Sequence, residues 1–318
     1  MLCPLKPQSS VTFDAASPTP KKRSNAWAMA LLLGLWAGWA GAQTAGHAQL
    51  NEGARQWVAE QTQTPLGALP SRFRKERVLI VGCGTALHAG LVGRYLIEDW
   101  GGVATEADVA SEWRYRNGVF DPKTLVIAIS QSGETADTLA AMQIARERGA
   151  RVVAVTNIMG SAVSRAADGV LYTRAGLEIG VAASKTFTSQ VTLMTLLALH
   201  LGAVRGNLST QQVAEIGNEL RGLPDLVQRI LDDSAMDAQL DMLADRFAHD
   251  RFFLYLGRHL GLPICQEGAL KLKEISYIPT DAYAAGEMKH GPIALLGDDT
   301  PVVAVATDSH VFEKMASN

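Results

Sequence analysis

From Arg77 onward, short runs of β-branched and other apolar residues alternate with longer segments of helical spacing. The runs are Val78-Leu79-Ile80-Val81, Leu125-Val126-Ile127-Ala128-Ile129, Val152-Val153-Ala154-Val155 and a weaker Val170-Leu171-Tyr172. A parallel strand covered on both faces is continuously apolar in this way. Helices fit between the runs at about residues 86–100, 135–148 and 161–166, with a long one at about 184–201. The alternation predicts βα units around a parallel sheet, a doubly wound α/β fold over residues 76–205.

Gly206-Asn207-Leu208 interrupts this rhythm, and Ser209 with Gln212 reads as a capping box opening a helical connector over residues 206–249. The rhythm restarts with the run Phe252 to Leu256, then Gly257, a helix through Leu272 and later Val302-Val303-Ala304-Val305. Tyr255-Leu256-Gly257-Arg258 echoes Ile80-Val81-Gly82-Cys83, so the chain reads as a tandem repeat of one α/β unit. The second copy, residues 250–318, offers one or two strands, too few for a sheet of ordinary size. It is therefore expected to be a truncated copy.

Composition narrows the class. With 318 residues, 47% hydrophobic and 19% charged, the chain can bury one large core or two ordinary ones. A net charge of −3 without a Lys/Arg stripe excludes nucleic acid as the expected partner. Cys3, Cys83 and Cys265 are odd in number and far apart, and no Cys/His group has metal-ligand spacing. No metal is expected, and the pattern suits a reducing compartment.

Residues 1–75 stand apart from the repeat. Lys21-Lys22-Arg23, the apolar run Ala26 to Ala40 and the triplet Ala40-Gly41-Ala42 have the order of a secretory signal. Against that reading, the basic group begins only at Lys21, behind a Pro/Ser/Thr-rich stretch. The apolar run is also shorter than the ~20 residues that span a bilayer, so no stable membrane association is expected.

Ser130-Gln131-Ser132-Gly133-Glu134-Thr135 directly follows an apolar run and precedes a helical stretch. A phosphate is held by backbone N–H groups at the positive end of a helix, with short hydroxyls as extra donors. A plain N-cap needs one such residue, whereas this segment carries three hydroxyls and a glycine. The segment is read as an anion site at the carboxyl end of a strand. Gly82-Cys83-Gly84-Thr85 follows the first strand similarly, without the third glycine or the acidic partner of a dinucleotide fingerprint. Cys83 is read as a small packing residue rather than a nucleophile. Gly180 to Lys185 is a third small-residue turn, read equally well as a lining loop or a simple helix start.

Glu267, Lys271 and Glu274 recur at i, i+4 and i+7 and share a helix face, and His290 follows in Gly286-Glu287-Met288-Lys289-His290-Gly291-Pro292. Aldose–ketose interconversion needs a base to move a proton and a second group to open the ring, which a carboxylate near a lysine and an imidazole supply. The same spacing also describes a solvated helix face with ordinary ion pairs.

From about residue 77 onward the chain resembles the isomerase part, two sugar isomerase (SIS) domains, of the glutamine:fructose-6-phosphate aminotransferase family, the glucosamine-6-phosphate synthases. The matching segments are Cys83-Gly84-Thr85, Ala110 to Arg116, Ser130 to Asp137, Glu178 to Ala182, Glu267 to Tyr277 and Ala284 to Pro292. The resemblance implies a sugar-phosphate substrate, its phosphate held by Ser130, Gln131, Ser132 and Thr135, with Thr85 and the Val181 backbone nearby. It implies Glu274 as the proton-shuttling base, Lys271 as its electrostatic support, and His290 as the ring-opening acid/base contributed across a homodimer interface. The family converts fructose 6-phosphate and glutamine-derived ammonia to glucosamine 6-phosphate without a metal or organic cofactor.

Some features depart from the family. Residues 1–75 hold no counterpart of the glutaminase domain, so glutamine use by this chain alone is not expected. The family's Schiff-base lysine falls beyond Asn318, which implies impaired activity. Ala86 stands where serine is usual after Cys-Gly-Thr, Ala183 is a further difference in the third lining loop, and His259 stands where glycine is common. Two competing readings follow: a phosphosugar-binding module without catalysis, and a stand-alone amino-sugar-phosphate isomerase or deaminase. A phosphosugar ligand implies a cytoplasmic protein, although the signal-like segment 21–42 leaves export open.

Overall fold

A computed structural model describes residues 76–119 and 122–318, so the signal-like segment and the rest of residues 1–75 lie outside the described residues. The first sheet has five parallel strands: β1 (Arg77–Gly82), β2 (Ala104–Val109), β3 (Thr124–Ser130), β4 (Arg151–Thr156) and β5 (Gly169–Tyr172), in the order β2-β1-β3-β4-β5. Four of these strands coincide with the apolar runs. The edge strand β2 does not, because Ala104-Thr105-Glu106-Ala107-Asp108-Val109 is only partly covered and tolerates polar residues.

Helix α1 (Thr85–Leu96) runs on into a π-helical turn (Ile97–Gly101), and α2 (Ala110–Trp113), α3 (Ala136–Glu147), α4 (Ala162–Ala166) and α5 (Lys185–Arg205) complete the layers. Alternate residues of each central strand serve opposite cores. Val78, Ile80, Ile127, Ile129, Val153 and Val155 pack with α1 and α5, while Leu79, Val81, Val126, Ala128, Val152 and Ala154 pack with Trp113, Met142 and Val163. Helix α5 is long and apolar enough to cross a membrane by composition, yet twelve of its residues are buried in the chain. It packs against α1 so closely that a Cβ at Gly93 would lie 2.4 Å from the Met194 methyl carbon.

Helices α6 (Thr210–Leu231) and α7 (Ser234–Phe247) form the connector. The Ser209–Gln212 capping box opens α6 in both directions, as expected, and neither helix fully buries a residue within the chain. The second sheet contains β6 (Phe253–Gly257), β7 (Thr280–Ala284) and β8 (Val302–Val305), all parallel, in the order β7-β6-β8. It thus holds three strands rather than one or two. Thr280-Asp281-Ala282-Tyr283-Ala284 has too little apolar continuity to be read as a strand, and pairing with β6 makes it one.

Helix α8 (Gly261–Ser276) lies between the halves, with α9 (Phe312–Ala316) closing the described chain. Ile264, Cys265 and Ala269 of α8, with Tyr255 and Val305, join the same buried cluster as Val78 and Ile80. The two sheets therefore share one continuous apolar core, and α8 meets α1 across it. At the head of α8 a Cβ on Gly257 would come within 2.3 Å of the Gly261 carbonyl oxygen, so strand and helix touch backbone to backbone.

Candidate active site

Strand order reverses on either side of β1, and the crevice at the carboxyl ends of β1 and β3 is where open α/β sheets take ligands. A cavity of about 220 Å³ opens there, lined by Cys83, Thr85 and Ala86 after β1 and by Ser130, Gln131, Ser132 and Thr135 after β3. Glu178, Gly180, Val181, Ala183, Thr186 and Gln190 form the opposite wall. All three small-residue turns singled out in the sequence thus meet at one place.

The 130–135 loop is tightly folded. Ser130 Oγ accepts from the Gly133 N–H at 3.1 Å and lies 2.9 Å from Thr135 Oγ1, while Ser132 Oγ accepts from the Glu134 N–H at 3.2 Å. Gly133 has φ +70°, and a Cβ there would lie 2.1 Å from Ser161 Oγ, so glycine is required twice over. Glu134 points away from the cavity, accepting from the Ala162 N–H at 2.9 Å at the head of α4. Thr135 is the N-cap of α3 without a side-chain capping bond, so the first N–H groups of that helix remain available to an anion beside the loop.

Glu178 organises the opposite wall. One carboxylate oxygen accepts from the Ser184 N–H at 2.9 Å and the Lys185 N–H at 3.1 Å, and the other from the Thr186 hydroxyl. This carboxylate caps the head of α5, which favours negative charge. The chain from Gly180 to Ala183 is thereby held over the cavity, with the Val181 side chain exposed. The sequence offered Glu178 only as part of a matching segment, since a carboxylate seven residues before its helix has no local spacing signature.

Glu267, Lys271 and Glu274 do share one face of α8, but that face is not solvated. Glu267 is 1% and Lys271 2% exposed, and Glu274 is a quarter exposed. The Lys271 ammonium lies 2.5 Å from Glu274 Oε2 and 3.3 Å from both Glu267 Oε1 and Thr85 Oγ1. Thr85 donates to Glu267 at 2.9 Å, and His88 Nδ1 sits 2.7 Å from the other Glu267 oxygen. A chain of contacts therefore runs from His88 through Glu267, Thr85 and Lys271 to Glu274, joining α1 to α8. His88 was not singled out in the sequence, because its partner lies 179 residues away.

His290 is exposed at the end of a 3-10 helix (Ala285–His290) and does not line the cavity of its own chain. Cys83 is half-buried on the cavity wall. Ala86 and Ala183 both line the cavity, so both of these departures fall on its surface. His259 has φ +52°, a left-handed conformation that explains a preference for glycine at this position. Its ring packs at a tilt against Tyr95 (4.5 Å between centroids) and edge-to-face against His310 (4.9 Å). Burial lowers its pKa, with Asp99 opposing and His310 and Arg94 adding to the effect. Among the described residues no group of three or more His, Cys, Asp or Glu could hold a metal ion.

The SIS domain model matches residues 73–200 and 248–318. The chain is 52% identical over 242 residues to a glutamine–fructose-6-phosphate aminotransferase (isomerizing) of Methanosarcina acetivorans, covering 76% of the chain and 39% of that protein. A namesake from Streptomyces coelicolor is 45% identical over 271 residues, 84% of the chain and 43% of that protein. The chain thus spans about two fifths of the length of these relatives. Among solved structures, the C-terminal domain of glucosamine-fructose-6-phosphate aminotransferase from Francisella tularensis superposes with a TM-score of 0.74 at 33% identity, covering 91% of this chain and 76% of that one.

Proposed function

Because the chain belongs to the SIS domain family and matches the isomerase part of the glutamine–fructose-6-phosphate aminotransferases, we propose that it binds a hexose 6-phosphate and isomerises it on the path from fructose 6-phosphate to glucosamine 6-phosphate. The observation that carries this reading is the uncapped head of α3 beside three hydroxyls, in a cavity adjoining a buried lysine and two carboxylates.

In this reading the phosphate lies on Ser130, Gln131, Ser132 and Thr135, and the sugar extends past Thr85 and the Val181 backbone. The partly exposed Glu274 is the base that moves a proton between C1 and C2 of the opened sugar. Lys271 orients that carboxylate, and Thr85, which touches Lys271 and lines the cavity, ties the base to the substrate wall. His290 opens the ring from the second subunit of a homodimer, which accounts for its distance from the cavity of its own chain. Two SIS units, over residues 76–205 and 250–318, and a cytoplasmic location belong to the same proposal.

Thermal unfolding with fructose 6-phosphate, glucosamine 6-phosphate and unphosphorylated fructose tests it. A ligand at a hundredfold excess over its dissociation constant should raise Tm by roughly 5–10 °C, for the phosphosugars alone. Ser132→Ala should abolish most of the rise, and Glu274→Gln should keep it while ending hexose-phosphate turnover. A wild-type chain that turns over hexose phosphate no faster than Glu274→Gln would leave a binding module without catalysis.

A further inference from the structure

We propose that Gln190 is a specificity-determining residue that recognises the hydroxyl-bearing end of the sugar, an inference that rests on the phosphosugar reading of the same cavity. Gln190 lies on α5 one helical turn after Thr186, and both line the cavity from a different element than the 130–135 loop. Its side chain is 1% exposed, and its carbonyl oxygen is buried without a hydrogen-bond partner among the described residues. A buried amide oxygen left unpaired costs about 1–3 kcal/mol, so a glutamine kept there calls for a partner from outside the chain.

The neighbouring polar side chains sharpen the assignment. The Thr85 hydroxyl proton goes to Glu267, and the Thr186 hydroxyl proton goes to Glu178. Glu178 is itself occupied by Ser184, Lys185 and Thr186. Ala86 and Ala183 contribute methyl groups to the lining. Of the polar side chains in this part of the lining, Gln190 is the one with a buried polar atom that has no hydrogen-bond partner at all among the described residues. An amide oxygen takes a donor, and a sugar hydroxyl or amino group is one, whereas the phosphate oxygens are acceptors at neutral pH. At about 220 Å³ the cavity is more than ten times the ~15 Å³ that one water needs, which leaves room for a ligand reaching from the loop to Gln190.

Calorimetric titration of the wild type, Gln190→Leu and Gln190→Met with fructose 6-phosphate and with inorganic phosphate tests the assignment. The wild type should bind fructose 6-phosphate more tightly than phosphate. Each variant should lose about tenfold in fructose 6-phosphate affinity, keep phosphate affinity within about twofold, and unfold at no lower temperature than the wild type. Unchanged fructose 6-phosphate affinity in a folded variant would overturn the inference, as would an equal loss for both ligands. A wild type that binds neither ligand would remove the phosphosugar reading itself, and that failure shows before any substitution is made.

Discussion

Among the described residues, Lys271 joins the buried charges of the interior. It is 2% exposed between Glu267 and Glu274, and removing one partner of a buried ion pair costs more than the pair contributes, because the remaining charge stays desolvated. Lys271→Ala should lower the unfolding free energy by about 3–5 kcal/mol, measured by denaturant titration. Adding Glu267→Ala should then cost much less than it does alone, because its ammonium partner is already gone. Additive losses would show that the two groups do not act as a unit. The fold of the 130–135 loop was legible from sequence because its hydrogen bonds join residues close together in the chain. His88 and Gln190 were not, since each acquires its role from residues distant in the chain.

Among the elements, strands buried on both faces declared themselves by unbroken apolar runs, and α6 declared itself by its capping box. The strands β2 and β7 escaped notice because half-covered positions accept Thr, Glu and Asp, and only pairing with a central strand defines them. The i, i+4, i+7 charges of α8 were read correctly as one face. Spacing could not say that the face is buried, because burial comes from α1 of the other half. The junction of β6 and α8 has no slack: a methyl at Gly257 would press on the Gly261 carbonyl oxygen at 2.3 Å, and backbone cannot rotate away as a side chain can. Gly257→Ala should destabilise the chain by about 1–3 kcal/mol and lower its melting temperature. An unchanged melting temperature would show that the second sheet yields at this point.

For the whole molecule, exposed His290 and quarter-exposed Glu274 share no hydrogen bond or ion pair within one chain, and the proposed dimer supplies His290 from the second chain. Mixing Glu274→Gln with His290→Ala should restore turnover, because one of the two sites in each hybrid dimer then holds both native groups. No recovery on mixing would mean that each site draws on one chain. The contact chain from His88 to Glu274 also has a consequence for how the protein is made. The phosphate loop closes over five residues, between Ser130 and Thr135, whereas Thr85 meets Glu267 only after a span of 182 residues. By loop-closure entropy the longer contact costs roughly 3 kcal/mol more to form. During synthesis the 130–135 loop can therefore assemble while most of the second half is still unmade, and the proposed proton-transfer groups come together only after α8 arrives.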